Sequence, residues 1–399
     1  MLNMPKCESS DSVALILGGH VNGYSIVNEL YDSGIRDIAL FDYGRSISRF
    51  SNKVKYVSRI DMNSKSLFNK LTELNDKYKK IIIFPTDDFH IEALYEIYAD
   101  ISSFCYIPFN DNNIIFSLDK NNQYKVCEEI GVPYPKSINV TNVDDLLEYG
   151  DMVFPMIIKP TTRKDLDTNV FRTLFIDNME ALEFNKPTIK SLLDDGITFI
   201  LSEYIPGDDT NIYAYTCFRS QEGNILNEWS GKKLTQYPDN YGVVSSASNE
   251  ADIIVEEQGR VLCDALDAFG IVEPEFKFDK RDNKYKLMEV NLRSMMWHRV
   301  GSISGVNLHE TMYKYACGKS YIHYKQDKKR SAHFVLMLHE LPNLIARKGY
   351  YQHFKRNVFG GESRKWAIFD SRDIKPFMFS LLILCKLLGG ACLKRFIPK

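Results

Sequence analysis

The residues most suited to chemistry alternate along one short segment of the chain, residues 286–293. A carboxylate, a carboxamide and a guanidinium occupy every second position there, as Glu289, Asn291 and Arg293. Successive side chains of an extended strand point to opposite faces, so these three polar groups are predicted to share one face. Clustered oxygen ligands beside an arginine favour Mg²⁺ bound together with a polyphosphate. A strand with one solvated polar face would alternate in the same way.

The preceding segment, residues 273–279, repeats the alternation and supplies a further carboxylate, Glu275. A short polar stretch at residues 280–283 separates the two runs and is typical of a turn. The two segments are therefore predicted to form a β-hairpin, with Glu275 on the strand that faces Glu289 and Asn291.

Charged residues that suit a nucleotide lie further upstream. Lys159 ends an apolar, strand-like segment and is followed by proline, and Lys120 opens the preceding helical segment. An ammonium group at the end of an apolar strand suits a phosphate. A second apolar segment, residues 200–205, runs into a turn with Asp208 and Asp209, where backbone groups suit an adenine edge and a carboxylate suits ribose hydroxyls. Taken singly, each feature is more commonly explained by a solvated lysine or a turn aspartate.

The elements that position these residues must belong to more than one domain. A chain of 399 residues is too long for one ordinary domain, and 44% hydrophobic residues with 24 Phe and 23 Tyr exclude a disordered protein. Residues 321–399 carry 16 Lys and Arg against 5 Asp and Glu, which leaves 34 against 47 in the rest of the chain. Such a basic segment favours an anionic neighbour: lipid headgroups, an acidic polymer or the acidic body of the protein.

The cysteines and the two terminal segments indicate in which cellular compartment the protein is expected. Cys105, Cys127, Cys217 and Cys263 lie among apolar residues without metal-ligand spacing, which predicts buried free thiols. The first eleven residues lack an apolar signal core, so a reducing cytoplasm is expected. Residues 377–393 are too interrupted by Lys and Gly to span a membrane. A helix lying on the inner membrane face and a buried terminal helix are equally compatible with this segment.

The first part of the chain is predicted to be a small doubly wound α/β domain. Apolar runs at residues 13–17 and 38–41 flank a helical pattern that ends at Gly34, and this strand–helix–strand order implies parallel pairing. Strand patterns dominate after a helix at residues 121–130, and the last segment alternates helix-like and basic stretches. The predicted domains are residues 1–112, residues 113–320 with a subdomain break near 200–210, and a basic extension at residues 321–399.

A dinucleotide fingerprint is the rival interpretation of the first turn. Residues 18–23 read Gly-Gly-His-Val-Asn-Gly after a strand, and Asp42 ends the next strand. The middle glycine of the motif is replaced by His20, whose side chain would obstruct the close approach of the backbone to a pyrophosphate. An NAD(P)-dependent oxidoreductase that uses this domain is therefore kept only as the alternative function.

Taken in order, these motifs resemble those of the ATP-grasp superfamily, and more closely those of the carboxylate–amine ligases of the D-aspartate ligase-like family. The resemblance covers Val13 to about Lys319, with a weaker similarity at residues 373–377. The specific parts are Asp119-Lys120 and residues 158–160, 202–209, 231–238, 275–277, 289–293 and 305–308.

The resemblance implies an ATP-grasp fold with α/β and α+β parts, a Rossmann-like domain in front, a basic, partly helical C-terminal extension, and an ATP site between two α+β subdomains. The residues implied to contact ATP are Lys120 and Lys159 at the phosphates, Ser202 and the backbone of Glu203 and Ile205 at adenine, and Asp209, in preference to Asp208, at the ribose. Glu275, Glu289 and Asn291 would bind two Mg²⁺ ions, for which Mn²⁺ would substitute. Arg293 would steady the transferring phosphoryl group, and Lys233 would lie beside the acceptor or the γ-phosphate.

One departure from the family pattern concerns the loop after Lys159. Many relatives carry another phosphate-binding lysine before the next apolar run, where this chain has Arg172. Either Arg172 substitutes for that lysine or the contact is missing. Residues 161–169 are also short of glycine for a loop that cradles phosphates.

The implied reaction joins a carboxylate to an amine at the expense of ATP, through an acyl phosphate, with ADP and phosphate as products. Positioning and electrostatics suffice for such a reaction, in agreement with the lack of an obvious Ser-His-Asp or Cys-His grouping. Asp279 and His298 are candidate bases for the amine, with a structural role as the alternative for His298.

The expected partners are an amino acid and a carboxylate acceptor, and the basic tail favours an acceptor linked to a glycan or to peptidoglycan in the cell envelope. No nucleic acid partner is expected, and a peripheral membrane contact and a homodimer are left open. A non-catalytic scaffold that keeps the fold is a further alternative, although loss of function would usually erase the metal ligands first.

Overall fold

A five-stranded parallel sheet forms the first layer of the protein. The computed structural model describes residues 11–161, 170–171, 173–239 and 242–396. The strands of this sheet are β1 (Ser12–Leu17), β2 (Ile38–Asp42), β3 (Tyr56–Arg59), β4 (Lys80–Pro85) and β5 (Cys105–Tyr106), and its helices are α1 (Val21–Asp32), α2 (Ser64–Asn75), α3 (Asp88–Glu96) and α4 (Tyr98–Ile101). The strand order is β3-β2-β1-β4-β5, with every neighbouring pair parallel. The predicted doubly wound arrangement is confirmed.

Two helices lead from this sheet into a smaller antiparallel one. The helices are α5 (Ile114–Leu118) and α6 (Lys120–Ile130), and the sheet contains β6 (Ser137–Val140), β7 (Met156–Pro160), β8 (Leu174–Ile176) and β9 (Phe199–Glu203), with α7 (Met179–Asp194) packed against it. Asp119 caps α6 by accepting hydrogen bonds from two backbone N–H groups, and Gly131 ends it at a φ of +74°. These caps place Lys120 in the first turn of α6. The strand order of the small sheet is β6-β9-β7-β8.

A seven-stranded sheet forms the third layer. Its strands are β10 (Ile212–Arg219), β11 (Ile225–Tyr237), β12 (Val243–Ser248), β13 (Gly270–Asp279), β14 (Lys284–Asn291), β15 (Ala332–Val335) and β16 (Ser363–Trp366), in the order β14-β13-β10-β11-β12-β15-β16. The accompanying helices are α8 (Ile253–Ala265), α9 (Arg299–Ile303), α10 (Leu308–Ala316), α11 (Met337–Ala346), α12 (Tyr351–Phe359) and α13 (Ile374–Phe396). The segment expected to be a basic extension therefore contributes two strands to this sheet.

The buried carboxylate of Glu340 ties that C-terminal segment to the sheet. It accepts hydrogen bonds from Thr235, Ser245 and Ser246 on neighbouring strands and from Tyr350. A buried charge is tolerated only when several donors satisfy it, so α11 is fixed in one orientation on the sheet.

The predicted β-hairpin is confirmed, with β13 and β14 paired in antiparallel fashion across the turn at residues 280–283. Asn283 adopts a left-handed φ of 56°, which asparagine tolerates in tight turns. Glu275 lies directly opposite Glu289, and Glu273 lies directly opposite Asn291. The pairing register therefore brings these side chains within reach of one another on neighbouring strands.

The last helix, α13, packs one side against the protein and exposes the other. Phe379 stacks on Phe50 at 4.4 Å between ring centroids, and buried Asp373, just before the helix, accepts hydrogen bonds from Tyr24 and Ser51. None of the helices in the described part of the chain is both long and apolar enough to cross a lipid bilayer. The four cysteines predicted to be buried free thiols are so: Cys105, Cys127, Cys217 and Cys263.

Candidate functional site

Three carboxylates and an amide converge on the hairpin. Glu273 and Glu275 on β13 are 0% and 6% exposed, and Asn291 on β14 is 5% exposed. Burial, aided by the neighbouring carboxylate of Glu289, raises the pKa of Glu275, and burial raises the pKa of Glu273 to about 8. Buried carboxylates that repel one another in this way favour an added cation. The donor set of carboxylate and amide oxygens suits Mg²⁺.

Two lysines already lie against these carboxylates. The Lys233 ammonium group is 2.6 Å from Glu275, and the Lys120 ammonium group is 3.1 Å from Glu289. Burial disfavours the charged form of Lys233, but the Glu275 carboxylate outweighs it and raises the pKa of Lys233. The lysines thus supply positive charge next to the oxygens that a divalent ion would bind.

A third lysine, Lys159 at the end of β7, lies near the same carboxylates. Burial and the charge of Lys120 lower its pKa, while Glu289 and Glu275 oppose this effect. A cation held in such surroundings gains stability when an anion enters. Three ammonium groups close to a pair of carboxylates therefore match a polyphosphate bound together with a metal ion.

The described residues contain no group of three His, Cys, Asp or Glu side chains arranged to hold a metal ion by themselves. In the structure Lys120 and Lys233 lie close to the carboxylate oxygens of Glu289 and Glu275. An incoming phosphate chain would compete for the lysines and release the oxygens for the metal. The residues present fit metal and polyphosphate together better than metal alone.

The end of β9 provides an edge for a planar ring. The Glu203 N–H donates to the Lys136 carbonyl at 2.9 Å and the Tyr204 N–H to the Pro155 carbonyl at 3.0 Å, so both are already paired. The groups left for an adenine are accordingly the Glu203 carbonyl and the backbone of Ile205. Ser202 lies in the same buried strand, paired with Ser137 and Ile157.

The two aspartates after this strand occupy different surroundings. Asp209 is buried, and its carboxylate accepts hydrogen bonds from the Gln236 backbone N–H at 2.8 Å and from its side-chain amide at 2.9 Å. Asp208 is exposed and caps the following turn by accepting from Thr210. Only Asp209 therefore faces inward, toward β11 and the remaining site residues.

Comparison with known proteins identifies the fold. The chain is 24% identical to a D-aspartate ligase of Enterococcus faecium (strain Aus0004) over 76% of each protein. No protein-family model matches it. Among solved structures it resembles the ADP complex of N5-carboxyaminoimidazole synthetase from Staphylococcus aureus, with a TM-score of 0.64 at 14% identity over 91% of this chain and 92% of that one. The chain has the ATP-grasp fold.

Two further ATP-grasp structures are similar over most of their length. An L-amino acid ligase from Bacillus licheniformis has a TM-score of 0.61 at 13% identity, covering 82% of this chain and 80% of that one. Biotin carboxylase from Campylobacter jejuni, in complex with an ATP analogue, has a TM-score of 0.62 at 15% identity, covering 80% and 74%.

Arg293 joins the ATP-grasp sheet to the first domain. Its guanidinium makes a two-point ion pair with Asp88 in the first turn of α3, at 2.5 and 3.2 Å, and its side chain is 5% exposed. Burial disfavours its charge, but Asp88 outweighs burial and raises the pKa of Arg293. Arg293 is thus held rigidly, two residues beyond Asn291.

The dinucleotide interpretation finds little support at the first turn. The Asn22 side chain, in the first turn of α1, donates to the Ser294 carbonyl at 2.7 Å, so a loop from the ATP-grasp sheet covers this helix end. Asp42, the acid of the supposed fingerprint, accepts a hydrogen bond from Ser46. The first contact packs the first domain against the ATP-grasp sheet, and the second lies within the first domain.

The two candidate bases are engaged in structural contacts. Asp279 is fully buried, and although burial opposes it, hydrogen bonds from Arg281 and Lys286 hold the pKa of Asp279 well below its usual range. His298 accepts from the Met295 N–H through Nδ1, so Nε2 carries the proton and donates to Glu273 at 2.7 Å. Neither side chain is available to take a proton from an amine.

The sequence interpretation assigned no role in the site to Glu273 and Lys277. Both continue the alternation of β13 that singled out Glu275, so the same pattern contained them. Lys277 is 7% exposed, its ammonium group lies 4.8 Å from the centre of the Tyr204 ring, and burial lowers its pKa to about 8. Arg172 and most of the loop after Lys159 lie outside the described residues.

Proposed function

We propose that this chain is an ATP-dependent carboxylate–amine ligase that forms an amide bond through an acyl phosphate. The observation that carries the proposal is the meeting of Glu275, Glu289 and Asn291 with Lys120 and Lys233 on adjoining elements. The similarity to D-aspartate ligase over three quarters of the chain supports it.

The first step transfers the γ-phosphoryl group of ATP to a carboxylate. We assign the nucleotide to the region between β7, β9 and β13, with Lys120 and Lys159 at the phosphates, Ser202 and the backbone of Glu203 and Ile205 at adenine, and Asp209 at the ribose. Lys233 and Arg293 offset charge on the transferring group and on the acyl phosphate.

We assign two Mg²⁺ ions to Glu275, Glu289 and Asn291, with Mn²⁺ as a substitute. When bound, the metal neutralises negative charge on the phosphate oxygens. These residues would orient the γ-phosphoryl group toward the carboxylate acceptor. Buried Glu273 orients Asn291 from the opposite strand through a weak 3.4 Å hydrogen bond.

In the second step an amine attacks the acyl phosphate and displaces phosphate. We propose an amino acid as one substrate, by analogy with the named substrate of the Enterococcus ligase. The basic C-terminal segment favours an acidic partner, and we propose a carboxylate on a cell-envelope glycan or peptidoglycan precursor, handled in the cytoplasm at the inner face of the membrane. A homodimer is compatible with this proposal.

A screen of ADP and phosphate release tests the proposed function. The purified protein is incubated with Mg²⁺ and ATP, a panel of D- and L-amino acids and carboxylate acceptors, with the Glu289→Gln protein as the blank. Product release that requires both an amine and a carboxylate, with an amide-linked product by mass spectrometry, supports the proposal. Protection by NAD(P)H against thermal unfolding, with no response to Mg²⁺ and ATP, would overturn it in favour of an oxidoreductase.

A further inference from the structure

An open cleft of about 610 Å³ lies away from the hairpin, at the far edge of the seven-stranded sheet. It is lined by the end of α1, the start of α9, strand β16 and the loop at residues 369–372. Strands β14 and β16 are the two opposite edges of that sheet, six strand spacings apart, or roughly 29 Å at about 4.8 Å per spacing. The cleft is therefore a separate site from the proposed ATP site.

Cations with unmet hydrogen-bonding capacity line this cleft. Arg299 is only 7% exposed, and among the described residues its guanidinium has no hydrogen-bond or ion-pair partner within bonding distance, although Glu29 is an electrostatic neighbour. Arg364 donates from one nitrogen to the carbonyls of Phe359 and Gly360, but its buried Nε has no partner. A buried donor without a partner is costly, so the Arg364 Nε favours an anion, and the charge of Arg299 beside the same cleft adds to that preference.

The acids in the cleft are already paired. Arg372 bonds to Asp32 at 2.8 Å and to Asp370 at 2.9 Å, and the buried Lys53 ammonium group bonds to Asp370 at 2.6 Å. These contacts leave Arg364 and Lys365 without a carboxylate partner in the cleft, whereas Arg299 has Glu29 as an electrostatic neighbour. Two arginines, with Lys365 at the edge of the cleft, favour a phosphate over a single carboxylate.

The remaining wall of the cleft is aromatic. Trp366 and Phe369 line it, and Phe369 is 46% exposed even though it is a large apolar side chain. An exposed aromatic ring beside unpaired arginines suits a ligand with a planar or apolar part attached to its charged group.

We propose that this cleft binds the phosphate group of a small organic ligand, with Arg299 and Arg364 at the phosphate, Lys365 at the edge of the cleft and the organic part packed on Trp366 and Phe369. The site is independent of the proposed ligase reaction, because none of its residues belongs to the proposed ATP site. The chemistry of the charged group is shared by soluble phosphate esters and by phospholipid headgroups.

Trp366 provides a local readout of binding, since Trp229 and Trp297 are 2% and 1% exposed. We expect phenyl phosphate to protect the fluorescence of Trp366 from acrylamide quenching in the full-length, metal-free protein, and inorganic phosphate to do so more weakly. The Trp366→Phe protein should lose the response. Arg364→Gln should weaken phenyl phosphate binding at least about tenfold, because it removes a charge-assisted contact.

Lys65→Gln, which removes an exposed lysine from α2, serves as the matched control and should bind phenyl phosphate as the unaltered protein does. Sedimentation with phosphatidylglycerol vesicles separates the two ligand sources. Weaker vesicle binding by Arg364→Gln assigns the site to a lipid headgroup, and phenyl phosphate binding without that effect assigns it to a soluble ester. The proposal is overturned if neither phenyl phosphate nor vesicles distinguish Arg364→Gln from Lys65→Gln.

Discussion

The ammonium group of Lys233 lies 2.6 Å from the Glu275 carboxylate, and both side chains are more than nine-tenths buried. The ion pair joins β11 to β13 across β10, the strand that lies between them, at the point where the proposed metal ligands meet. A buried pair of this kind stabilises the fold only while both partners are present. It also gives each partner a second role, because a metal ion for Glu275 and a phosphate for Lys233 would satisfy both charges.

We expect Lys233→Met to destabilise the metal-free protein by about 3 kcal/mol, because Glu275 is left buried without a counter-charge. The double variant Lys233→Met/Glu275→Gln should recover part of that loss, since no isolated charge remains. Urea denaturation of the two single variants and the double variant measures this coupling. Strictly additive losses would show that the two side chains do not interact in solution. Both single variants should also lose ligase turnover.

Removal of a metal ligand should separate catalysis from nucleotide binding. We expect Glu289→Gln and Asn291→Ala to abolish ATP turnover while the far-ultraviolet circular dichroism of the protein is unchanged. ADP should still bind within a few-fold without Mg²⁺, because the lysines remain, but Mg²⁺ should no longer strengthen that binding. Calorimetric titration of ADP with and without Mg²⁺ measures both effects. Unchanged turnover in either variant would refute the metal assignment.

The hairpin was predictable because strand alternation is a local property. Glu289 and Asn291 stand two residues apart on β14, Glu275 lies opposite Glu289 on β13, and a short polar turn fixes which side chains face one another. Glu273 and Lys277 follow the same alternation, so their positions could be predicted in the same way. The contact of His298 with Glu273 could not be predicted from the sequence, because it depends on the path of the chain after β14.

Strands β15 and β16 of the C-terminal segment were not predicted from the sequence, for a different reason. β15 and β16 are four residues each, and β16 reads Ser-Arg-Lys-Trp, which lacks an apolar alternation. Their place in the sheet is set by long-range pairing, of β15 with β12 and of β16 with β15. Tertiary packing of this kind overrides local strand propensity.

The ion pair of Asp370 with Lys53 should make stability depend on pH. Burial opposes ionisation of Asp370, but Arg372 and Lys53 outweigh it and hold the pKa of Asp370 well below its usual range. The folded state then binds fewer protons than the unfolded state, so this stabilisation is present above the unfolded pKa and is lost as the pH falls. Asp370→Asn should therefore be less stable than the unaltered protein at pH 7.

That difference in the free energy of unfolding should narrow as the pH falls from 5 toward about 3, because the aspartate pKa in an unfolded chain is about 3.9. Urea denaturation at a series of pH values measures it. Asp61→Asn, at an exposed position, should show no such difference at any pH. If the difference in the free energy of unfolding between Asp370→Asn and the unaltered protein stayed constant with pH, the ion pair with Lys53 would not set the pKa of Asp370.

Replacement of Arg293 by lysine should lower kcat more than it changes the KM for ATP. Lysine keeps the positive charge but loses the planar fork that bonds to both oxygens of Asp88. We expect a fall in kcat of about 100-fold, in line with loss of one preorganised donor at a transferring group. Arg260→Lys, a partly exposed arginine paired with Glu228, is the matched control and should change kcat little. An equal rise in KM with kcat unchanged would assign Arg293 to ground-state binding.

The exposed side of α13 leads to a prediction about location. Ile374, Met378 and Leu382 recur every four residues and are 45%, 56% and 69% exposed, and exposed Lys375 and Lys386 lie beside them. An apolar stripe bordered by lysines suits the surface of an anionic lipid bilayer, which we propose as its partner.

Met378→Ser/Leu382→Ser should weaken binding to phosphatidylglycerol vesicles, measured by sedimentation, about tenfold or more. The reason is that burial of each apolar side chain in the bilayer surface contributes more than about 1 kcal/mol to the free energy of binding. Ile253→Ser/Val261→Ser removes two apolar residues of α8 that are 59% and 49% exposed and should leave vesicle binding unchanged. Equal binding by both double variants would remove the membrane contact from the proposed function and leave the ligase site untouched.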